Sequence, residues 1–235
     1  MLRNVVRSAA LVAVAFLFVA ADAEAQWVRQ VDPVGQVRFR LGIFEPLGDS
    51  SGWDRVFEGF TGQTSDLQDV LWGVDFLWRP GGYGSLMFGF SSYSGSTTSA
   101  YEDWVAGDGS EIRHTKRLEI ADISVAWVYH FGSGGIRPYA GVGGGLLWWE
   151  LTDDGNFIDF GDPELPIVRA FYGADGTTFE AFGLAGIDIP LGPVWSFFAE
   201  GRYRWASDGL GDGFAGFGDL DLSGWEISGG FAIGF

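Results

Sequence analysis

The sequence predicts an all-β fold: eight antiparallel strands closing as an up-and-down β-barrel across a membrane. Three observations predict it: a composition hostile to helices, a period-two alternation repeated along the chain, and connections that alternate between tight and long. Glycine supplies 38 of the 235 residues, beside 21 Phe, 11 Trp and 7 Tyr. Each interior Gly costs a helix roughly 1 kcal/mol relative to Ala, whereas large aromatics and Gly together suit pleated strands and tight turns. The absence of cysteine removes disulfide scaffolds, Cys-based zinc sites, thiol catalysis and lipoprotein anchoring. With 31 acidic and 14 basic side chains the formal charge is −17, the wrong sign for a nucleic-acid partner.

Residues 1–25 read as a secretory signal peptide. Arg3 and Arg7 give a positive start, Ala9 to Ala21 an apolar stretch, and Ala21-Asp22-Ala23-Glu24-Ala25 the small residues of a cleavage site after Ala23 or Ala25. The apolar stretch falls short of the ~18–20 residues that a membrane-spanning helix needs. Residues 26–235 then form one domain. Its longest apolar run, Ala140 to Trp149, is shorter still, so membrane insertion would have to be by a closed sheet.

Seven segments alternate cleanly and one, around Gly141, does so less cleanly. They cover about 36–44, 69–78, 85–92, 112–131, 137–149, 178–189, 195–205 and 224–235. In the first, Val37, Phe39, Leu41 and Ile43 oppose Arg38, Arg40 and Gly42. In the second, Val70, Trp72, Val74, Phe76 and Trp78 oppose Gly73 and Asp75. In the seventh, Trp195, Phe197, Ala199, Tyr203 and Trp205 oppose Glu200, Arg202 and Arg204. Pro80-Gly81-Gly82, Gly132 to Gly135 and Pro190-Leu191-Gly192-Pro193 have the chemistry of tight turns. Between them lie long links near 45–68, 92–111, 150–177 and 206–221, the arrangement of outer-membrane barrels.

Alternation leaves open which face is outside. The non-apolar faces carry both signs of charge: Arg38, Arg40, Arg202 and Arg204 with Asp75, Asp122, Glu200 and Glu226. Inside a narrow barrel such charges must pair, and the Gly and Ser around them suit a lumen that side chains just fill. Trp78, Trp127, Tyr129, Trp148, Tyr203 and Trp205 lie toward strand ends, as interfacial aromatic belts require. These features favour apolar faces in lipid and an interior structural ion network. A narrow ion path through that network is the competing reading. A soluble secreted barrel of lipocalin type would reverse the faces.

The last segment, Gly224 to Phe235, places Trp225, Ile227, Phe231, Ile233 and the terminal Phe235 on one face, and resembles the C-terminal assembly signal of bacterial outer-membrane proteins. Arg137-Pro138-Tyr139-Ala140-Gly141-Val142-Gly143 and Ala199 to Arg204 are similar to recurring strand patterns of small OmpA-type barrels. The resemblance spans the mature chain and implies an outer-membrane location and recognition by the barrel-assembly machinery. The peptidoglycan-binding domain that follows some of these barrels is not expected, since the sequence stops at Phe235.

Chemistry is sparse. Of the two histidines, His130 precedes a short turn and His114 sits where the fourth strand leaves the membrane. Neither has a Ser two positions away on the same face, as a barrel-wall lipid A deacylase would want. Omptin-type proteases resemble larger, ten-stranded barrels. Gly211-Asp212-Gly213-Phe214-Ala215-Gly216 matches a dinucleotide fingerprint without its strand and helix, and reads as a loop. The four long links hold most of the acidic side chains and only Arg55 and Arg169 as bases. Asp153-Asp154-Gly155-Asn156 and Asp208, Asp212, Asp219 and Asp221 offer hard oxygen ligands to calcium, but no EF-hand spacing. No catalytic residue, cofactor or metal site is assigned. The expectation is a monomeric barrel in a Gram-negative outer membrane, with lipid and lipopolysaccharide as partners and a structural or interaction role through its acidic loops. A narrow channel and a lipid-modifying enzyme are the alternatives.

Overall fold

The computed structural model describes residues 33–81, 84–131 and 135–235; the leader expected over 1–25 lies outside them. The wall consists of β1 (Gly35–Pro46), β2 (Asp69–Gly81), β3 (Gly84–Val105), β4 (Glu111–His130), β5 (Arg137–Ile158), β6 (Ile167–Pro190), β7 (Trp195–Gly209) and β9 (Gly224–Gly234). A short strand, β8 (Asp219–Asp221), pairs with the end of β7 in the last long link. Each wall strand pairs antiparallel with its sequence neighbours, and β1 closes the ring against β9 from Gln36↔Gly234 to Pro46↔Gly224. Gly35 and Phe235 exchange backbone hydrogen bonds at the seam, 3.0 and 2.9 Å, so both ends of the described chain lie at the end with the short turns.

Closure satisfies the wall's backbone, and an unbroken apolar band can then face outward. Leu41, Val142, Phe179 and Ile227 are 62, 69, 80 and 75% exposed, while Arg202 and Glu200 are buried. Trp78, Trp127, Tyr129 and Trp195 mark the turn end of this band; Trp205 and Trp225 mark the other. The faces are therefore oriented for lipid outside and ions within. Among the described residues no helix is long and apolar enough to cross a membrane.

Strand length departs from expectation. β1, β2, β7 and β9 have 12, 13, 15 and 11 residues, close to the ~9–11 that span a bilayer. β4, with 20 residues, runs where it is expected, but β3, β5 and β6 have 22, 22 and 24. The links expected over 92–111 and 150–177 are thus mostly strand: only 106–110 and 159–166 connect them. Above the apolar band both faces of a strand meet polar surroundings, so Ser92 to Thr98 and Thr152 to Asn156 show no apolar alternation although they continue the ladder. One side of the barrel is a tall four-stranded wall; the other is short.

The two links that do remain loops fold inward across the short side. Ser50 caps a helix, α1 (Ser51–Phe57), and its hydroxyl accepts from Trp53 N–H at 3.4 Å and from Asp221 N–H at 3.1 Å. The Trp53 indole N–H donates to the Asp221 carbonyl at 2.6 Å, and Leu47 N–H to the Ser223 carbonyl at 2.8 Å. The first and last loops are therefore stitched together over the barrel mouth.

Candidate functional site: a closed lumen beneath a tall crown

Inward-facing positions are filled by two chemistries, one per half of the barrel. Toward the turns lie ions. Arg38 meets Asp188 at 2.7 Å and Glu200 at 4.0 Å; Arg40 meets Glu226 at 3.1 Å, Asp75 at 3.8 Å and Glu200 at 3.9 Å; Arg202 meets Glu200 at 3.0 Å. Arg204 holds Asp122 at 2.9 Å and Glu180 at 2.7 Å, and Asp122 also accepts from the Ser91 hydroxyl. All eight charged residues singled out from the sequence thus lie in the lumen and pair with opposite charge. Asp188 and Glu180 join them, as do Arg79 and His130, which meet Asp188 at 3.6 and 3.3 Å.

Aromatic rings hold these cations in place. The Arg38 guanidinium lies 4.8 Å from the Tyr139 ring and 5.0 Å from Phe198, and Arg202 lies 4.5 Å from Phe182. Tyr139 donates its hydroxyl to Glu200 at 3.0 Å. Small residues opposite make room: a Cβ on Gly143 would sit 2.5 Å from the Phe182 ring, and one on Gly186 2.6 Å from Tyr139. At the turn end Gln36, Arg79, Asp188 and Ser196 line a small cavity of about 30 Å³.

Toward the crown the filling turns apolar. Phe44, Leu71, Tyr93, Leu118, Ile120, Leu147, Trp149 and Leu151 face inward from the strands, and Trp53, Val56, Leu67, Phe214, Leu220 and Leu222 come down from the loops. Leu67, Leu147, Leu220 and Leu222 are 0% exposed. The strand residues of this cork sit at inward parity in the sequence. Its loop residues lack a period and gave no signal of where they fold.

Above the cork, on the inner face of the tall wall, His114 and Lys116 of β4 meet Asp153 of β5. His114 Nδ1 is 2.6 Å from Asp153 Oδ1, and Lys116 Nζ donates to Asp153 Oδ2 at 2.9 Å. Lys116 also lies 4.2 Å from the Phe60 ring, and Phe60 bridges to Tyr101 on β3, so this cluster ties the first loop to the wall. Burial pushes the Lys116 ammonium below its ordinary range, an effect that Asp153 opposes. Strand pairing sets Ser99 directly across from His114, a juxtaposition that local spacing could not reveal. The Ser99 hydroxyl makes no hydrogen bond within the described residues, and Phe60 and Phe157 rings flank the imidazole at 4.4 and 4.9 Å. The His114 side chain is 0% exposed. Among the described residues no three carboxylate or imidazole groups converge as a metal site would require.

The outward side chains of the last strand, Trp225, Ile227, Phe231 and Phe235, are exposed, and Ile233 is half-buried. Arg113 and Arg117 also point outward and pair with neighbours on their own strand, Glu111 at 2.8 Å and Glu119 at 3.8 Å.

No protein-family model and no curated protein matches the sequence. Solved structures do. Neisserial surface protein A aligns with 86% of this chain and 96% of its own at 11% identity and a TM-score of 0.50. Ail, the attachment invasion locus protein of Yersinia pestis, covers 84% and 98% at 10% identity and a TM-score of 0.42. The N-terminal barrel domain of Pseudomonas aeruginosa OprF covers 87% and 100% at 14% identity and a TM-score of 0.38. The chain has the fold of small eight-stranded outer-membrane barrels.

Proposed function

We propose that this chain is an integral outer-membrane barrel whose lumen is sealed and whose working surface is the crown carried by its tall wall. The double closure of the lumen carries the reading: a paired ion layer lies under an apolar cork whose Leu147, Leu220 and Leu222 are wholly buried. An aqueous path would have to cross both. The outward apolar band and its aromatic rims support insertion in a bilayer. On this reading residues 1–25 are a cleaved leader, and Trp225, Ile227, Phe231, Ile233 and Phe235 form the signal that the barrel-assembly machinery recognises. The mature protein is a monomer surrounded by lipid and lipopolysaccharide, with no catalytic step of its own.

Planar-bilayer recordings of the refolded protein test the sealed lumen. The expected trace is flat in molar salt. Reproducible unitary conductance steps would replace the anchor with a narrow channel.

A further inference from the structure

The tips of the two tall hairpins form one surface. The β3–β4 tip presents Trp104 and Val105, 43 and 63% exposed, and the β5–β6 tip presents Phe160 at 59%, with Leu165, Ile167 and Val168 beside it. Trp104 meets Phe160 edge-on with ring centroids 5.8 Å apart, so the tips touch. Ala121 of β4 pairs with Trp148, and β4 continues from there to Glu111. At about 3.3 Å per residue and a tilt near ~40°, the tips stand roughly 25 Å above the level of Trp148. Bilayer lipid does not reach that height, so it cannot be what covers these side chains.

Two further features speak for a partner. Leu165 adopts a left-handed φ of 48°, a conformation in which Gly or Asn would be unstrained, and yet an exposed apolar side chain stands there. The charge around the patch is mostly acidic; Arg113 and Arg169 stand at the base of the tips and are paired with Glu111 at 2.8 Å and Asp154 at 3.0 Å. Glu102, Asp103 and Asp108 flank the first tip and Asp159, Asp162 and Glu164 the second, with no Lys or Arg from 101 to 112 or from 157 to 168. An exposed apolar patch rimmed by charge marks a protein interface, and its anchors are aromatic.

We propose that the joined tips dock a protein partner through a basic, amphipathic segment. Its apolar side chains would seat on Trp104 and Phe160, and its Lys or Arg residues would meet the acidic rim. An acidic partner would be repelled, and a simple cation would leave the rings uncovered. A glycan could stack on the rings and hydrogen-bond the rim carboxylates, but would leave Val105, Ile167 and Val168 uncovered. This inference rests on the reading of the crown as the working surface.

The test uses the full chain in zwitterionic nanodiscs, titrated with a labelled Leu/Lys amphipathic peptide, the same peptide with Glu for Lys, and a neutral oligosaccharide. The cationic peptide is expected to bind and the other two to fail. Trp104→Ser with Phe160→Ser should weaken binding at least about tenfold, and Asp103→Asn with Asp159→Asn and Glu164→Gln should flatten its salt dependence. Barrel integrity is read from heat-dependent gel mobility; should the double variant lose it, Val105→Ser probes the same surface. Peptide binding that survives loss of both rings would reduce the surface to bare charge and overturn the proposal, as would binding of the oligosaccharide alone. Bilayer recordings on the same preparation separate the two readings. A closed lumen without peptide binding sinks this proposal only, and a conducting lumen with peptide binding sinks only the sealed anchor.

Discussion

The two halves of the lumen occupy the same wall and the same inward parity, yet one is filled with ions and the other with hydrocarbon. In the turn half every charged group comes from a strand: Arg204 and Glu180 are diagonal neighbours on paired strands, whereas Arg38–Asp188 and Arg204–Asp122 reach across the lumen between strands that do not pair. In the crown half the strands supply only part of the filling, and Trp53, Leu67, Leu220 and Leu222 arrive from loops. The contrast teaches where each half's stability resides. Buried charges are costly unless paired, so the ionic half is intolerant of losing one member. The apolar half instead depends on two loops reaching their places, which Ser50, bonded to both, helps to secure.

The largest expected effect therefore lies in the ionic half. Arg204→Met removes the partner of both Asp122 and Glu180, each buried. The cost should be about 3–5 kcal/mol, since breaking a buried pair strands its counter-charge. Urea titration in vesicles measures it, and a loss below about 1 kcal/mol would mean that the network is solvated rather than sealed. In the apolar half, Trp53→Ala deletes a buried ring and its hydrogen bond to Asp221. A cost of about 3 kcal/mol is expected, but it should appear as loosening of the first and last loops, because no strand pairing is touched. Limited proteolysis near 47–60 with retained heat-shifted gel mobility would separate this from barrel unfolding. If both variants unfold the barrel alike, the two halves are one cooperative unit.

How far the sequence discloses this differs between the halves for the same reason. Arg38, Arg40, Asp75 and Glu226 announce themselves because ions at one parity among apolar residues at the other have few explanations. Glu180 and Asp188 stand at the same parity, opposite Ala185, Ile187 and Ile189, and are legible in the same way. The cork was hidden because the apolar parity switches above the band. Leu118, Ile120 and Leu151 face inward between outward Arg117, Glu119, Glu150 and Thr152, while Leu147 has apolar neighbours on both faces. The tall wall is legible in β4, whereas in β3 and β5 the polar runs Ser92 to Thr98 and Thr152 to Asn156 conceal it. The Ser99–His114 juxtaposition and the His114–Asp153 contact depend on pairing between distant segments, which no local window contains.

Glycine packing offers a milder probe. Gly143→Ala would place a methyl 2.5 Å from the Phe182 ring and 2.6 Å from the Val125 carbonyl, in the half where that ring backs Arg202. Overpacking of this kind costs about 1–3 kcal/mol. Combined with Phe182→Leu, which makes room, the loss should shrink. A loss that stays the same in the double variant would place the strain in the backbone and not in the ring.

The smallest effect is electrostatic and lies above both halves, at Lys116. Its ammonium is held below the ordinary 10.5 by burial, with Asp153 pulling the other way. The folded chain thus releases this proton at a lower pH than the unfolded chain does. Between the lowered value and 10.5 the unfolded state binds more protons, so stability from this group rises with pH across that window and is flat below it. Wild type should gain on Lys116→Met as pH climbs toward 10.5, a difference that cancels titrations shared by the two proteins. Thermal unfolding of both, followed from neutral to alkaline pH, reads the gap directly. A gap that narrows with rising pH would mean that the pair with Asp153 outweighs burial, and that the first loop is held to the wall by charge more than by the Phe57 and Phe60 rings beside it.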